Sequence, residues 1–214
     1  MPKPRKESDR KPKSTLKIFC EGEKTEPHYI KGYLDLINAS SRKSVVTIQA
    51  TTKNTPVQLV DAAVEAKLSR KSLDSDQFWV VYDREAVSKY SDTLHARARD
   101  RANAHGIKVA LTNVCFEYWL LLHMRDTNAP YTSYQDLRNR SPFRADIQKK
   151  IGTEYEKAGY IFKYLQDGIT EARQRAALIN ARGRAMAPVN RIAEHQINPY
   201  VGVADLLDAI DAFT

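Results

Sequence analysis

Asp76-Gln77-Phe78-Trp79-Val80-Val81-Tyr82 is the stretch on which the reading of this chain turns. It is short, apolar and rich in β-branched and aromatic residues, which marks a strand, and it stops abruptly on Asp83-Arg84-Glu85. The same arrangement occurs upstream, where Ser14-Thr15-Leu16-Lys17-Ile18-Phe19-Cys20 runs into Glu21-Gly22-Glu23-Lys24-Thr25-Glu26-Pro27. Two strands that end in acids aim carboxylates beyond the edge of a sheet. Between them, residues 26 to 38 carry Ile30, Tyr33, Leu34 and Ile37 at helical spacing, with Thr25 as cap. Ser44 to Ala50 reads as a strand, and Pro56 to Leu68 as a helix. Downstream, a polar Arg-rich helix over 91 to 105 leads through Gly106 to a strand at Ile107 to Leu111. Phe116 to His123 reads as a nearly all-buried helix or as one more buried strand. Strands alternating with helices predict an α/β fold on a largely parallel sheet.

The C-terminal third is less regular. Short helical pieces are expected at Tyr131 to Arg138, Gln148 to Lys150 and Ile161 to Gln166. A long basic helix follows over Ile169 to Asn190, which Gly183 or Pro188 is placed to break. After the turn Asn198-Pro199-Tyr200 comes a last amphipathic helix with Val203, Leu206, Leu207 and Ile210. Residues from about 130 to 214 are thus expected to form a helical appendage on the sheet.

The chain has 214 residues, 42% of them hydrophobic, enough for one core and too few for two ordinary domains. The longest apolar run, Phe116 to Leu122, contains a carboxylate and falls far short of the roughly 20 residues that cross a bilayer. With no signal-like segment after the basic start, the expected location is the cytoplasm. Cys20 and Cys115 lie in apolar runs without paired spacing, so neither a disulfide framework nor a zinc site is expected. The net charge of +8 favours polyanionic partners such as nucleic acid. Half of it falls in residues 1 to 13, which read as a basic, floppy tail, leaving 14 to 214 as the folded domain.

In an open α/β sheet, ligands bind beyond the carboxyl ends of the strands, here beside Glu21, Asp83 and Glu85. Acids without histidine or cysteine spacing suit Mg2+ or Mn2+ rather than zinc. In an extended segment Asp83 and Glu85 project to one side, with Arg84 facing the other way unless the loop bends to bring it to a phosphate. Any one of these acids also serves as a helix cap or solvated turn. Glu117 adds weight because a charge amid Phe116, Trp119 and Leu120 costs several kcal/mol unless it is paired or coordinated, a structural Lys or Arg being one such partner. Glu26 joins the metal set or serves the first turn of its helix. His123 on an apolar helix reads as a satisfied core histidine. Arg173, Arg175, Arg182, Arg184 and Arg191 are candidates for binding nucleic acid, against the plainer reading of a solvated helix face.

Taken together, Glu21 to Pro27 with Tyr29, Tyr82-Asp83-Arg84-Glu85, Asn113 to His123 and Asn198-Pro199-Tyr200 resemble the RloB-like family over almost the whole chain after the tail. That family is similar to the Toprim fold, a Rossmann-like parallel sheet flanked by helices, and is associated with restriction-modification loci and phage defence. The resemblance implies that Glu21-Gly22 matches the first Toprim acid motif and Asp83-x-Glu85 the D-x-D motif. It implies Mg2+- or Mn2+-dependent phosphodiester hydrolysis of RNA, such as tRNA, or of DNA. Asp83 and Glu85 would hold the metal, Glu21 would ligate it or act as acid/base, and Lys24 and Arg84 would stabilise charge on the phosphoryl oxygens. An AAA- or ABC-type ATPase partner is implied by the resemblance alone; this sequence holds no phosphate-binding G-x-x-x-x-G-K-[ST] loop, so any ATP hydrolysis must come from elsewhere. The chain departs from the family at Glu85, usually Asp, at Val114, usually Pro, and at Met124, usually aromatic. Competing readings are a non-catalytic adaptor or sensor in a defence complex and, against the basic surface, a small-molecule phosphohydrolase.

Overall fold

Phe78 to Tyr82 form the middle of a central strand, and the sheet is built around them in the computed structural model, which describes residues 13–37, 45–49, 51–53, 55–157 and 159–213. The elements run β1 (Leu16–Cys20), α1 (Thr25–Leu36), β2 (Val46–Gln49), α2 (Pro56–Lys67), β3 (Gln77–Asp83), α3 (Asp92–Ala104), β4 (Lys108–Asn113) and α4 (Phe116–Leu122). There follow α5 (Tyr134–Arg140), α6 (Phe143–Ile151), α7 (Phe162–Leu165), α8 (Ile169–Met186), β5 (Tyr200–Val201) and α9 (Val203–Ala212). The strand order is β2-β1-β3-β4-β5, with β1 to β4 parallel and β5 antiparallel to β4. This is the α/β, Rossmann-like sheet expected from the sequence, plus a two-residue edge strand that no periodicity announces.

Alternation along β3 sorts the core. Trp79 and Val81 face the side covered by α1, α4, α8 and α9, while Phe78, Val80 and Tyr82 face α2 and α3. Burial on both faces is what a central parallel strand requires. Thr55 caps α2 by accepting from the Gln58 N–H at 3.4 Å, with Pro56 in the first turn, and Ser91 caps α3 through the Leu94 N–H at 3.2 Å. Thr25 does not cap α1. It lies inside the helix, and its hydroxyl donates to the Lys157 carbonyl instead.

The Phe116 segment is a helix, and all seven of its side chains are buried. His123, just past its end, donates from Nδ1 to the Leu165 carbonyl at 2.8 Å, which leaves Nε2 to accept from the Tyr29 hydroxyl at 2.9 Å. Burial lowers its pKa to about 4, so it is a neutral, satisfied core histidine.

The C-terminal third is helical and packs on the sheet: α8 lies on α4 and β5, α9 lies on β4, and their apolar residues share one core with β1 and α1. The amphipathic stripe of α9, Val203, Leu206, Leu207 and Ile210, is buried in that core. Gly183 does not break α8, which runs on to Met186, two residues before Pro188. A Cβ at Gly183 would collide with Ile197, so the glycine serves close packing of the segment that leads into β5. No helix among the described residues is long and apolar enough to cross a membrane. Residues 1–12 of the expected tail, and Ser44 and Ala50 of the expected second strand, lie outside the described residues.

Candidate functional site

The order β2-β1-β3-β4 reverses direction between β1 and β3, and a doubly wound sheet opens its binding crevice at such a switch point. Glu21 and Asp83 stand on either side of it. The Glu21 N–H continues the ladder to the Val81 carbonyl at 2.9 Å, and its carboxylate reaches across, accepting from the Asp83 N–H at 3.1 Å and the Tyr90 hydroxyl at 3.3 Å. A cavity of about 570 Å³ opens here, lined by Glu21, Glu26, Asp83, Glu85 and Glu117, with Lys24, Glu156 and Lys157 at its sides. All five carboxylates expected in a metal site line this one cavity.

Each acid arrives by a different local route. Glu26 sits in the first turn of α1, and its carboxylate lies against Gly22, where any side chain would collide with it. Glu117 comes from the first turn of α4 and is 1% exposed; its Oε1 accepts from the Lys157 ammonium at 3.3 Å and the Tyr155 hydroxyl at 3.2 Å. Its Oε2 is buried without a partner. Glu85 reaches the cavity by a turn and not by the pleat, a correction to the extended geometry expected for Asp83-x-Glu85. The strand ends at Asp83, the Glu85 N–H donates to the Val114 carbonyl at 2.8 Å, and Glu85 adopts φ 57°, a left-handed conformation costing a non-glycine residue about 1–2 kcal/mol. Its carboxylate pairs with Lys89 at 2.7 Å.

Concentrated negative charge with little water leaves its mark on protonation. Burial, then Glu26, Glu117, Glu21 and Glu85, push the Asp83 carboxyl well above the usual carboxylate range. Burial, opposed by its own N–H and reinforced by Glu117 and Glu21, brings Glu26 to about 7. Glu21 is raised too, chiefly by burial. The Cys20 and Cys115 thiols stay protonated for the same reason.

Among the described residues no three His, Cys, Asp or Glu side chains stand close enough together to grip one ion as they are placed. The donor set nevertheless fits a hard divalent cation: every donor is a carboxylate oxygen, one is buried and orphaned, and the Asp83 carboxyl is pushed upward by burial and by neighbours whose charge a cation would offset.

Arg84 is turned away from the acids. It is 3% exposed, and its guanidinium donates to the His195 carbonyl at 3.0 Å, the Tyr90 carbonyl at 2.8 Å and Asp92 at 2.6 Å, behind the Asp83 loop. It therefore ties down the loop and does not reach a phosphate in the cavity. Arg84→Met should lower stability by about 1–3 kcal/mol, because two carbonyls lose a charged donor in a buried setting; a thermal melt within a degree of wild type would refute this. Lys24, in contrast, is exposed at the cavity wall.

The five arginines do not make one face. At 3.6 residues per turn, Arg173 and Arg184 lie within about 20° of each other on α8, and Arg175 and Arg182 point roughly the opposite way. Arg173 is bound to Asp208, Asp211 and Tyr33, Arg175 to the Leu122 carbonyl, Arg184 to Tyr200, and Arg191 lies 3.8 Å from Asp92. None lines the acid cavity. Sequence reasoning missed Tyr155 and Lys157; the one signal for them was that buried Glu117 needed a polar partner.

A family model described as RloB-like protein matches residues 16–210. No curated protein and no solved structure matches the chain.

Proposed function

The chain belongs to the RloB-like protein family, and from that premise we propose that it is a metal-dependent nuclease that hydrolyses phosphodiester bonds in RNA or DNA, using the acid cavity as its centre. The observation that carries the reading is the gathering of Glu21, Glu26, Asp83, Glu85 and Glu117 into one cavity at the switch point of the sheet. Asp83 and Glu85, with Glu21, would hold Mg2+ or Mn2+, and Glu117 Oε2 is a further free donor. Such an ion polarises a phosphate and makes bound water more acidic. Glu26, near neutrality in the cation-free chain, can hold or release a proton beside it. Lys24 and Lys157 supply positive charge at the wall for the phosphate backbone, the part expected of Arg84. The family's association with restriction-modification loci supports a role as a phage-defence effector, with an AAA- or ABC-type ATPase as partner.

A second reading has its own support. The Lys157–Glu117 ion pair already offsets part of the acidic charge, as it would in an adaptor that binds nucleic acid or a partner without turnover. The test is incubation of the purified chain with tRNA, single-stranded RNA, single-stranded DNA and plasmid at low salt, with Mg2+, Mn2+ or EDTA. Cleavage that needs metal supports the nuclease; inertness across the panel, with metal binding seen by calorimetry, supports the adaptor.

A further inference from the structure

Beside the acid cavity an aromatic ring stands out in solvent. Tyr160 is 63% exposed, yet it is not loose: its ring stacks on the imidazole of His28 at 4.0 Å between centroids and 19° between planes. The backbone around it is tied at both ends, the Gly159 N–H to the Glu156 carbonyl and the Ile161 N–H to the Gly159 carbonyl, each at 3.0 Å, and the next residues, Ile161 and Phe162, are anchored in the core. Glu156 and Lys157, a few residues before, form part of the cavity wall, and the His28 N–H donates to Lys24, another wall residue. Tyr160 and His28 are not themselves lining residues, but each lies within four residues of one, Lys157 and Lys24.

Its surroundings are charged, with Glu156 four residues before it and lysines on the α1 side. Lys24, the residue before α1, and Lys31, three residues after His28 on it, are both exposed, which puts a lysine within about one turn of the imidazole in each direction along the chain. A single exposed tyrosine needs no explanation, but here one face is fixed by stacking, the rest of the ring is open, and lysines stand on either side. That combination is what a nucleobase uses: a flat apolar surface at set height, with cations for the phosphates that flank it. A base within a duplex has both faces covered by its neighbours and cannot lie on such a ring; an unpaired base can.

We propose that Tyr160, backed by His28, is a stacking platform for an unpaired base, so that the substrate presented to the acid cavity is a single-stranded stretch of nucleic acid. This rests on the nuclease reading of the cavity and names the structural class of its substrate. The platform reads the face of a base, so RNA and DNA are separate arms of the test.

The experiment measures binding of a short fluorescent oligonucleotide to the full chain by anisotropy, in EDTA and again in Ca2+, as single-stranded RNA, as single-stranded DNA and as either annealed to its complement. The wild type should prefer a single strand to its duplex. Tyr160→Ala should weaken single-strand binding by about 5- to 100-fold, and Tyr160→Trp should preserve it. Tyr160 is exposed, so its variants should fold; their melting curves check this. Leu68→Ala, exposed at the end of α2 on the opposite face of the sheet, should bind as wild type does. Equal affinity for duplex, unaltered binding by Tyr160→Ala, or a Trp variant as weak as the Ala variant would overturn the platform. The two readings fail separately. Loss of binding in Tyr160→Ala with no metal-dependent cleavage by wild type keeps the platform and removes the nuclease, whereas metal-dependent cleavage with Tyr160→Ala binding unchanged does the reverse.

Discussion

Asp83→Asn should abolish metal-dependent cleavage, by roughly a thousandfold or more, while leaving a protein that folds and melts no lower than wild type. The two halves of this expectation have one cause. Asp83 lies at the end of the central strand, facing four other carboxylates, and its own carboxyl is pushed far above its ordinary range by burial and by Glu26, Glu117, Glu21 and Glu85. A group so placed opposes folding when ionised. The amide keeps the shape and removes the charge, so repulsion falls and the metal loses its central ligand. The Asp83 backbone N–H, which holds Glu21 in place, survives the substitution. Near-normal cleavage by a folded Asp83→Asn protein would remove the acid cavity from the chemistry, and a fall of several degrees in the melt would show that Asp83 supports the fold.

The second large effect concerns stability. In the cation-free protein Glu26 is raised from 4.5 to about 7, and Asp83 and Glu21 are raised with it, mainly by burial. A carboxyl whose folded pKa lies above its unfolded pKa binds more protons in the folded state between the two values. Its contribution to stability is thus complete below about 4.5 and is lost as pH climbs through about 7. On the proposed reading a divalent cation would take the place of those protons. The gain in melting temperature on adding Mg2+ or Mn2+ should therefore be small near pH 5 and reach roughly 5–10 °C near pH 8 at a hundredfold excess over Kd. His95 and His123 are depressed to about 4 and act in the opposite sense, losing stability as pH falls below 6.5. They are absent from the lining of the cavity, so they cancel when the melts with and without cation are subtracted. A gain independent of pH would mean that the cation binds elsewhere. Glu26→Gln should raise the melting temperature in EDTA at pH 8 and reduce the cation's gain.

What could be read in the sequence was local. Phe78 to Tyr82 had to be a strand because a run so short and β-branched has no other stable use, and acids after two strands pointed to one end of the sheet. Glu117 announced itself by chemical incongruity, a carboxylate among Phe116, Trp119 and Leu120. The features that escaped were set by contacts between distant segments. The partner of Glu117, Lys157, comes from an irregular stretch without periodicity, and β5 is two residues long, a strand only because β4 is beside it. Arg84 and Glu85 illustrate a different limit. Side-chain spacing assumes that a strand continues, and here the strand ends at Asp83 and the backbone turns left-handed two residues later. The α8 arginines were recognised as basic, but helical phase disperses them and neighbouring carboxylates and carbonyls occupy most of them.

The face of the sheet that carries α1 and α4 is closed by elements that follow them in the chain, α8 and α9 last among them. During synthesis the carboxylates from Glu21 to Glu117 leave the ribosome first, Lys157 later, and the helices that cover Trp119, Leu120 and Leu122 last. A nascent chain that has reached only α4 carries every acidic ligand but has neither the cation that steadies Glu117 nor the packing that fixes α4. A chain terminated after α4 should therefore lack a formed acid cavity and be protease-sensitive, so on the nuclease reading it would be inert rather than unrestrained.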